Sequence, residues 1–265
     1  MSYSGSEPDC GRVPARLHVV ATPIGNLGDL SERAVAAFRS ASLIACEDTR
    51  RTWQLLAHIG VPRPEMVSYR QGNEDAAGEK VVRALLAGRD VALCSDGGYP
   101  GISDPGYRLM RRCAQENLPY EVIPGASAVD VALLMSALPT SSFKFKGFPP
   151  RGPGALRNWF AEEKDSGATL IVYESPFRIG ATLQAAFDVF GDREAAVCLE
   201  LTKLHERVAR GYLSDLAAEF AGAKVKGEAV IAIAGDNPKF ARGAGTENAG
   251  PGVCPDAKTF GKGKP

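Results

Sequence analysis

Short apolar runs alternate with longer amphipathic stretches along the first half of the chain. Residues 17–21, 41–46, 66–69, 91–94 and 120–123 have the length and aliphatic content of buried strands. Between them, stretches entering at Ser31, running through Leu55-Leu56, spanning residues 81–86 up to a C-capping Gly88, and starting near Tyr107 carry helical periodicity. Strands and helices alternating at this pitch predict a parallel sheet with helices on both faces. The pattern changes after Leu138-Pro139-Thr140-Ser141-Ser142, which reads as a linker. Residues 143–147 alternate like a half-exposed strand, residues 168–173, 195–199 and 227–234 read as buried strands, and residues 207–213 as a further strand before a short helix at Ser214. Few Gly-rich crossovers occur there, so the second sheet is expected to be mixed. The predicted organisation is a two-domain α/β protein: a disordered tail over 1–15, an α/β domain over 16–138, a mixed α/β domain over 139–237, and a disordered Gly/Pro/Lys-rich tail over 238–265.

One stretch stands apart. After the apolar run at 91–94, residues 95–106 are mostly Ser, Asp, Gly and Pro, with Tyr99 and Ile102 as the bulky exceptions. Most strand-to-helix turns need two to six residues, so this length, with Asp96 and Asp104, marks a site. Asp104-Pro105 reads as an N-cap and first helical position. Two further strand ends are rich in small residues, at Gly25 and at Gly125. Three such loops at one edge of a sheet form a shelf for an elongated polar ligand.

Composition narrows the choices. The chain has 265 residues, with 31 Lys and Arg against 31 Asp and Glu, so no global field draws it to nucleic acid or membrane. Six cysteines include no C-x-x-C pair, and Cys46, Cys94 and Cys198 sit inside apolar runs as buried thiols do in a reducing compartment. Three histidines lack zinc-site spacing, so no metal is expected. No apolar segment reaches membrane-spanning length and no signal-peptide core is present, which points to the cytoplasm. Gly25-Asn26-Leu27-Gly28 has Pro23 where a dinucleotide fingerprint has its leading glycine, although Asp48 falls where a ribose-binding acid is expected. No P-loop is present.

Thr22-Pro23-Ile24-Gly25-Asn26-Leu27-Gly28-Asp29, Ala45-Cys46-Glu47-Asp48-Thr49-Arg50, Ser95-Asp96 through Ile102-Ser103-Asp104-Pro105-Gly106-Tyr107, Pro124-Gly125-Ala126-Ser127-Ala128, Leu138-Pro139-Thr140, Tyr173-Glu174-Ser175-Pro176 and Glu200-Leu201-Thr202-Lys203 together resemble the ribosomal RNA small subunit methyltransferase I family, of the tetrapyrrole-methylase-like group. The resemblance covers residues 16 to about 236. It implies a homodimeric two-domain enzyme that binds S-adenosylmethionine between its domains. It also implies methylation of the ribose 2′-hydroxyl of a cytidine in the decoding region of 16S rRNA, with the 30S subunit as the expected partner. On the family pattern Asp96, Tyr99, Ser127 and Ala128 line the cofactor pocket, with Thr22, Pro23 and Ile24 below it and Tyr173 from the second domain. Phe177 stands where the family carries a histidine, and residues 70–72 replace a histidine-containing stretch.

Methyl transfer to a hydroxyl needs alignment and a proton acceptor. With histidines scarce, Glu47, Asp48, Glu174 and Lys203 are the main catalytic candidates. Each has a plain alternative: a helix cap and first-turn acid for Glu47-Asp48, a buried pair with Arg178 for Glu174, and a surface pair with Glu200 at helical spacing for Lys203. Phosphate contacts need cations, and Arg50, Arg151 and Arg178 lie beside the motif ends. Two other readings stay open: a small-molecule methyltransferase acting on a corrinoid-type tetrapyrrole, and a non-catalytic nucleotide-binding protein.

Overall fold

The computed structural model describes residues 15–223 and 225–243. Cys10, Cys254 and the remainder of the two expected tails lie outside the described residues. The chain packs into two compact units, one comprising residues up to Val131 together with Glu200–His205, the other Ala132–Leu199 and the chain from Glu206 onward. The sequence partition set the boundary at 138–139 in a linear order; the return of Glu200–His205 to the first unit is a long-range feature. Pro238–Phe240 form a 3-10 turn and Ala241 bridges Arg193, so described structure continues to residue 243, into the stretch expected to be tail.

The first unit holds β1 (Leu17–Val20), α1 (Glu32–Ser40), β2 (Leu43–Cys46), α2 (Thr49–His58), β3 (Glu65–Ser68), α3 (Glu74–Leu86), β4 (Val91–Cys94), α4 (Tyr107–Gln115) and β5 (Tyr120–Ile123), and opens α5 (Ala128–Ser136). The strands form one sheet in the order β3-β2-β4-β1-β5, and all its pairs are parallel. Leu17, Val19, Leu43, Ala45, Val91 and Leu93 pack on Val81, Val82, Leu85 and Leu109 of α3 and α4. The alternate positions Val20, Ile44, Cys46, Ala92 and Cys94 pack on Ala34, Phe38 and Leu56 of α1 and α2. Both faces are covered, which is why these strands read as unbroken apolar runs. His18 is the polar exception; its Nδ1 lies 2.9 Å from Glu121 Oε1 on the neighbouring strand.

The expected cap at Asp104-Pro105 is corrected by the structure. Helix α4 starts at Tyr107 behind Gly106, whose φ is 147°. The Gly101 N–H donates to the Pro105 carbonyl at 3.2 Å, which folds the loop back on itself. A Cβ on residue 106 would lie 2.9 Å from the Gly101 nitrogen, so only glycine fits.

The second unit holds β6 (Phe143–Phe145), α6 (Pro153–Ala161), β7 (Thr169–Glu174), α7 (Ile179–Phe190), β8 (Glu194–Leu199), β9 (Arg207–Tyr212), α8 (Leu213–Phe220) and β10 (Ala229–Ile233). Its sheet runs β6-β7-β10-β8-β9. Only β6–β7 is parallel, so the sheet is mixed as expected. Leu170, Val172, Val197, Ile231 and Ile233 pack against Leu156, Phe160, Leu183, Leu213 and Phe220 from α6, α7 and α8. Helices α7 and α8 meet at backbone distance: a Cβ on Gly180 would lie 2.6 Å from the Phe220 carbonyl oxygen. Gly180→Ala gains about 1 kcal/mol in helix propensity but loses about 3 kcal/mol to a backbone clash that no rotamer relieves. A net loss of about 2 kcal/mol in chemical denaturation is expected; a stabilised variant would show that the helices can separate freely. No helix among the described residues is long and apolar enough to cross a membrane.

Candidate functional site

The strand ends of the first unit build the site. Strands β1 and β4 are neighbours, yet α1 and α4 cover opposite faces of the sheet. The loops leaving these strands therefore diverge and leave a crevice at the carboxyl edge. Thr22 ties them at their base. Its N–H donates to the Gly98 carbonyl at 3.0 Å, the Gly98 N–H returns to the Thr22 carbonyl at 2.9 Å, and its hydroxyl donates to the Ser95 carbonyl at 3.1 Å. Thr22 is buried, and these bonds tie the two loops together.

Gly97 and Gly98 lie flat against Pro23 and Ile24. A Cβ on Gly97 would sit 3.4 Å from the Pro23 carbonyl oxygen, and one on Gly98, at φ 78°, 3.6 Å from Ile24 Cγ2. Tyr99 joins the third loop, its hydroxyl accepting from the Gly125 N–H at 3.1 Å. Ser127 closes that loop; its carbonyl accepts from the Val131 N–H at 3.1 Å and its hydroxyl oxygen from the Asp130 N–H at 3.4 Å. Ser127 and Ala128 thus sit half-buried at the N-terminus of α5.

Strand β2 supplies the acids. Cys46 pairs with Cys94 in register, so Asp48 and Asp96, two residues further on in each strand, emerge side by side. The Asp48 N–H donates to Asp96 Oδ1 at 3.1 Å, and Arg51 Nη1 lies 3.3 Å from Asp96 Oδ2. Asp48 caps α2 by accepting from the Arg50 N–H at 2.8 Å, and Arg50 Nη2 donates to its second oxygen at 2.8 Å. Those bonds to Arg50 hold the Asp48 carboxyl well below the usual carboxylate range. Glu47 behaves oppositely: burial first, then the negative charge of Asp96, push its carboxyl up.

Lys203 comes to the first unit through the Glu200–His205 segment. Its Nζ lies 2.9 Å from Glu200 Oε1. The segment is a turn and not the helix that the i, i+3 spacing suggested, with φ of 49° at Glu200 and 64° at Thr202. It presses on the loop after β1: a Cβ on Gly25 would meet Lys203 Cγ at 2.4 Å and Thr202 Oγ1 at 2.7 Å.

The remaining candidates belong to the second unit. The Tyr173 ring packs edge-on against Phe145 at 4.8 Å and Phe148 at 5.4 Å. Glu174 is fully buried; Oε1 accepts from the Ser175 N–H at 2.7 Å, Oε2 accepts from the Thr182 hydroxyl, and Arg178 Nη1 lies 3.3 Å from Oε1. Arg178 also donates to the Pro150 carbonyl at 2.7 Å. Arg151 is exposed and has no ion-pair partner among the described residues. Arg51, which holds Asp96, was absent from the short list of candidates; the parallel register of β2 and β4 is the signal that reveals it.

The crevice therefore offers the Asp96 carboxylate with those of Asp48 and Glu47 beside it, tightly packed glycine backbone, and the apolar surfaces of Ile24 and Tyr99. That donor set suits a cationic ligand with polar arms. The family model for Tetrapyrrole (Corrin/Porphyrin) Methylases matches residues 16–217. The ribosomal RNA small subunit methyltransferase I of Halalkalibacterium halodurans is 42% identical over 223 residues, 84% of this chain and 77% of the relative. That of Thermotoga maritima is 37% identical over 220 residues, 83% of this chain and 98% of the relative. Among solved structures, uroporphyrin-III-C-methyltransferase from Thermus thermophilus gives a TM-score of 0.60 at 18% identity, covering 83% of this chain and 94% of that one. The methyltransferase CobJ gives 0.64 at 16% identity, covering 84% and 95%. These two share the fold.

The cofactor of such a methyltransferase is S-adenosylmethionine, and the residues at hand fit it: the Asp96 carboxylate complements a cation, and the glycine corner lets backbone approach. Asp96→Ala should remove a charge-assisted contact of about 1.5–3 kcal/mol, weakening S-adenosylmethionine by about 10- to 150-fold in calorimetry. Unaltered affinity would reduce Asp96 to a turn residue held by Arg51. Fold, strand-end loops and shared sequence agree: the chain belongs to the ribosomal RNA small subunit methyltransferase I family of tetrapyrrole-type methylases.

Proposed function

We propose that this protein methylates the ribose 2′-hydroxyl of a cytidine in the decoding region of 16S rRNA, acting in the cytoplasm as a homodimer on the 30S subunit. The observation that supports the reading is the 42% identity, over 84% of the chain, to a relative named ribosomal RNA small subunit methyltransferase I. The family resemblance supplies the finer detail of ribose, cytidine and dimer. Bound S-adenosylmethionine supplies an electrophilic methyl group on a sulfonium.

The chain's own residues divide the remaining work. Glu47 takes the proton that the ribose hydroxyl gives up as its oxygen takes the methyl group. Its surroundings raise its basicity, burial first and the negative charge of Asp96 second. Asp48 is held ionised by Arg50 and is a poor acceptor. Glu174 has both oxygens engaged away from solvent. Lys203, paired with Glu200, acts on charge near the loop after β1. Arg50 and Arg151, both exposed, face RNA phosphates; Arg178 positions the loop that carries Arg151.

Methyl-labelled S-adenosylmethionine, the purified protein and 30S subunits lacking the modification test the reading. Label should appear in 2′-O-methylcytidine after digestion to nucleosides. Label on a base, or transfer to a corrinoid-type tetrapyrrole with none to RNA, would overturn it. Failure of saturating S-adenosylmethionine to raise the melting temperature would favour a non-catalytic protein.

A further inference from the structure

Two phenylalanines of the second unit are solvated to a degree that packing does not account for. Phe177 is 81% exposed and Phe148 61%. Single exposed apolar residues are ordinary, but these two share one braced feature. The Phe148 ring is held edge-on by Tyr173. Phe177 precedes Arg178, whose guanidinium donates to the Pro149 carbonyl at 3.4 Å and the Pro150 carbonyl at 2.7 Å. That staple joins the loop after β7 to the loop after β6. Phe148 directly precedes the two stapled prolines and Phe177 the stapling arginine, with Pro149, Pro150 and Pro176 limiting the backbone beside them.

Charge indicates what covers the rings. Arg178 spends its donors on neutral carbonyls and pairs with the buried Glu174. Next to the prolines, Arg151 is exposed and has no ion-pair partner among the described residues. The surface is aromatic with an uncompensated cation at its edge. Unpaired nucleotides offer both complements, a flat face on every base and a phosphate for each residue. We propose that Phe148 and Phe177 are a stacking platform for unpaired bases of single-stranded RNA, with Arg151 on the adjoining phosphates. The inference rests on the rRNA reading above and adds to it the manner in which unstacked RNA is held.

Fluorescence anisotropy with a short labelled single-stranded RNA from the decoding region, at fixed salt, tests the platform in the full-length protein. Phe148→Ala and Phe177→Ala should each weaken binding about tenfold, within the range for loss of one stacked base. The Phe177→Ala midpoint should hold, since that side chain is solvated, and Phe148→Ala gives up only its edge contact with Tyr173. Phe177→Trp should restore affinity and show quenching of the new indole on RNA addition, whereas Phe177→Leu, apolar but not aromatic, should not restore it. Arg151→Gln should reduce the salt dependence by about one counterion. Unchanged affinity in both alanine variants, or no binding of this RNA by the unaltered protein, overturns the platform. So does a shift from dimer to monomer on ultracentrifugation with RNA affinity intact, which would make the rings a contact between copies. Methyl transfer is a separate readout: ribose label with ring-independent binding leaves the reaction standing and the platform lost, and the reverse pattern does the opposite.

Discussion

Glu47→Gln lowers kcat for methyl transfer about 10²- to 10⁴-fold, the range for losing a positioned general base, and leaves S-adenosylmethionine binding nearly intact. The substitution keeps the size and outline of the side chain and removes its negative charge and its ability to accept a proton. The sign of the pH effect follows from the raised carboxyl. The active form is the carboxylate, so activity climbs as pH rises through the elevated Glu47 pKa and is lost below it. Burial is the first cause of that elevation and Asp96 the second. Asp96→Asn should therefore move the acidic limb of the rate profile toward lower pH, and the Glu47→Gln profile should lose that limb altogether. A Glu47→Gln enzyme with unaltered kcat would return the residue to an ordinary first-turn acid.

Glu174→Ala, by contrast, costs about 3 kcal/mol of stability, at the lower end for removing one member of a buried ion pair because Arg178 keeps some solvent contact. The loss falls on three partners at once. The Thr182 hydroxyl and the Ser175 N–H lose their acceptor, and Arg178 loses its counter-charge. Glu174→Gln keeps an oxygen for part of this set, so it should cost less and retain methyl transfer within a few-fold. The two glutamates thus separate by their glutamine variants: one keeps its fold and loses turnover, the other loses stability and keeps turnover. A Glu174→Gln protein of full stability with turnover collapsed would place the base in the second unit instead.

The parallel sheet was legible because β1, β2 and β4 are buried on both faces and read as unbroken aliphatic runs. The site was legible because backbone that must approach backbone admits little but glycine, serine and alanine, and three strand ends show that composition. What stayed hidden depends on partners distant in sequence. Asp104-Pro105 has the local form of a cap, but the Pro105 carbonyl is taken by Gly101 and the helix waits for Tyr107. Glu200 and Lys203 have helical spacing, but they form a turn seated on Gly25, some 175 residues earlier. Whether a glutamate is a base or a brace depends on what surrounds it. Glu47 follows an apolar strand and Glu174 ends one, and only the fold shows one half-buried beside Asp96 and the other sealed among donors. Exposure of Phe148 and Phe177 has no signature in the sequence, since an apolar residue is expected inside.

The position of the methyl donor is decisive. A crystal structure of the protein with S-adenosylmethionine bound settles that directly. The donor should lie at the carboxyl edge of the first sheet, against Gly97 and Gly98, with the Asp96 carboxylate in hydrogen-bonding contact and Glu47 open to the methyl side. A donor bound at any other place, with Asp96 still engaged only by Asp48 and Arg51, would contradict this placement.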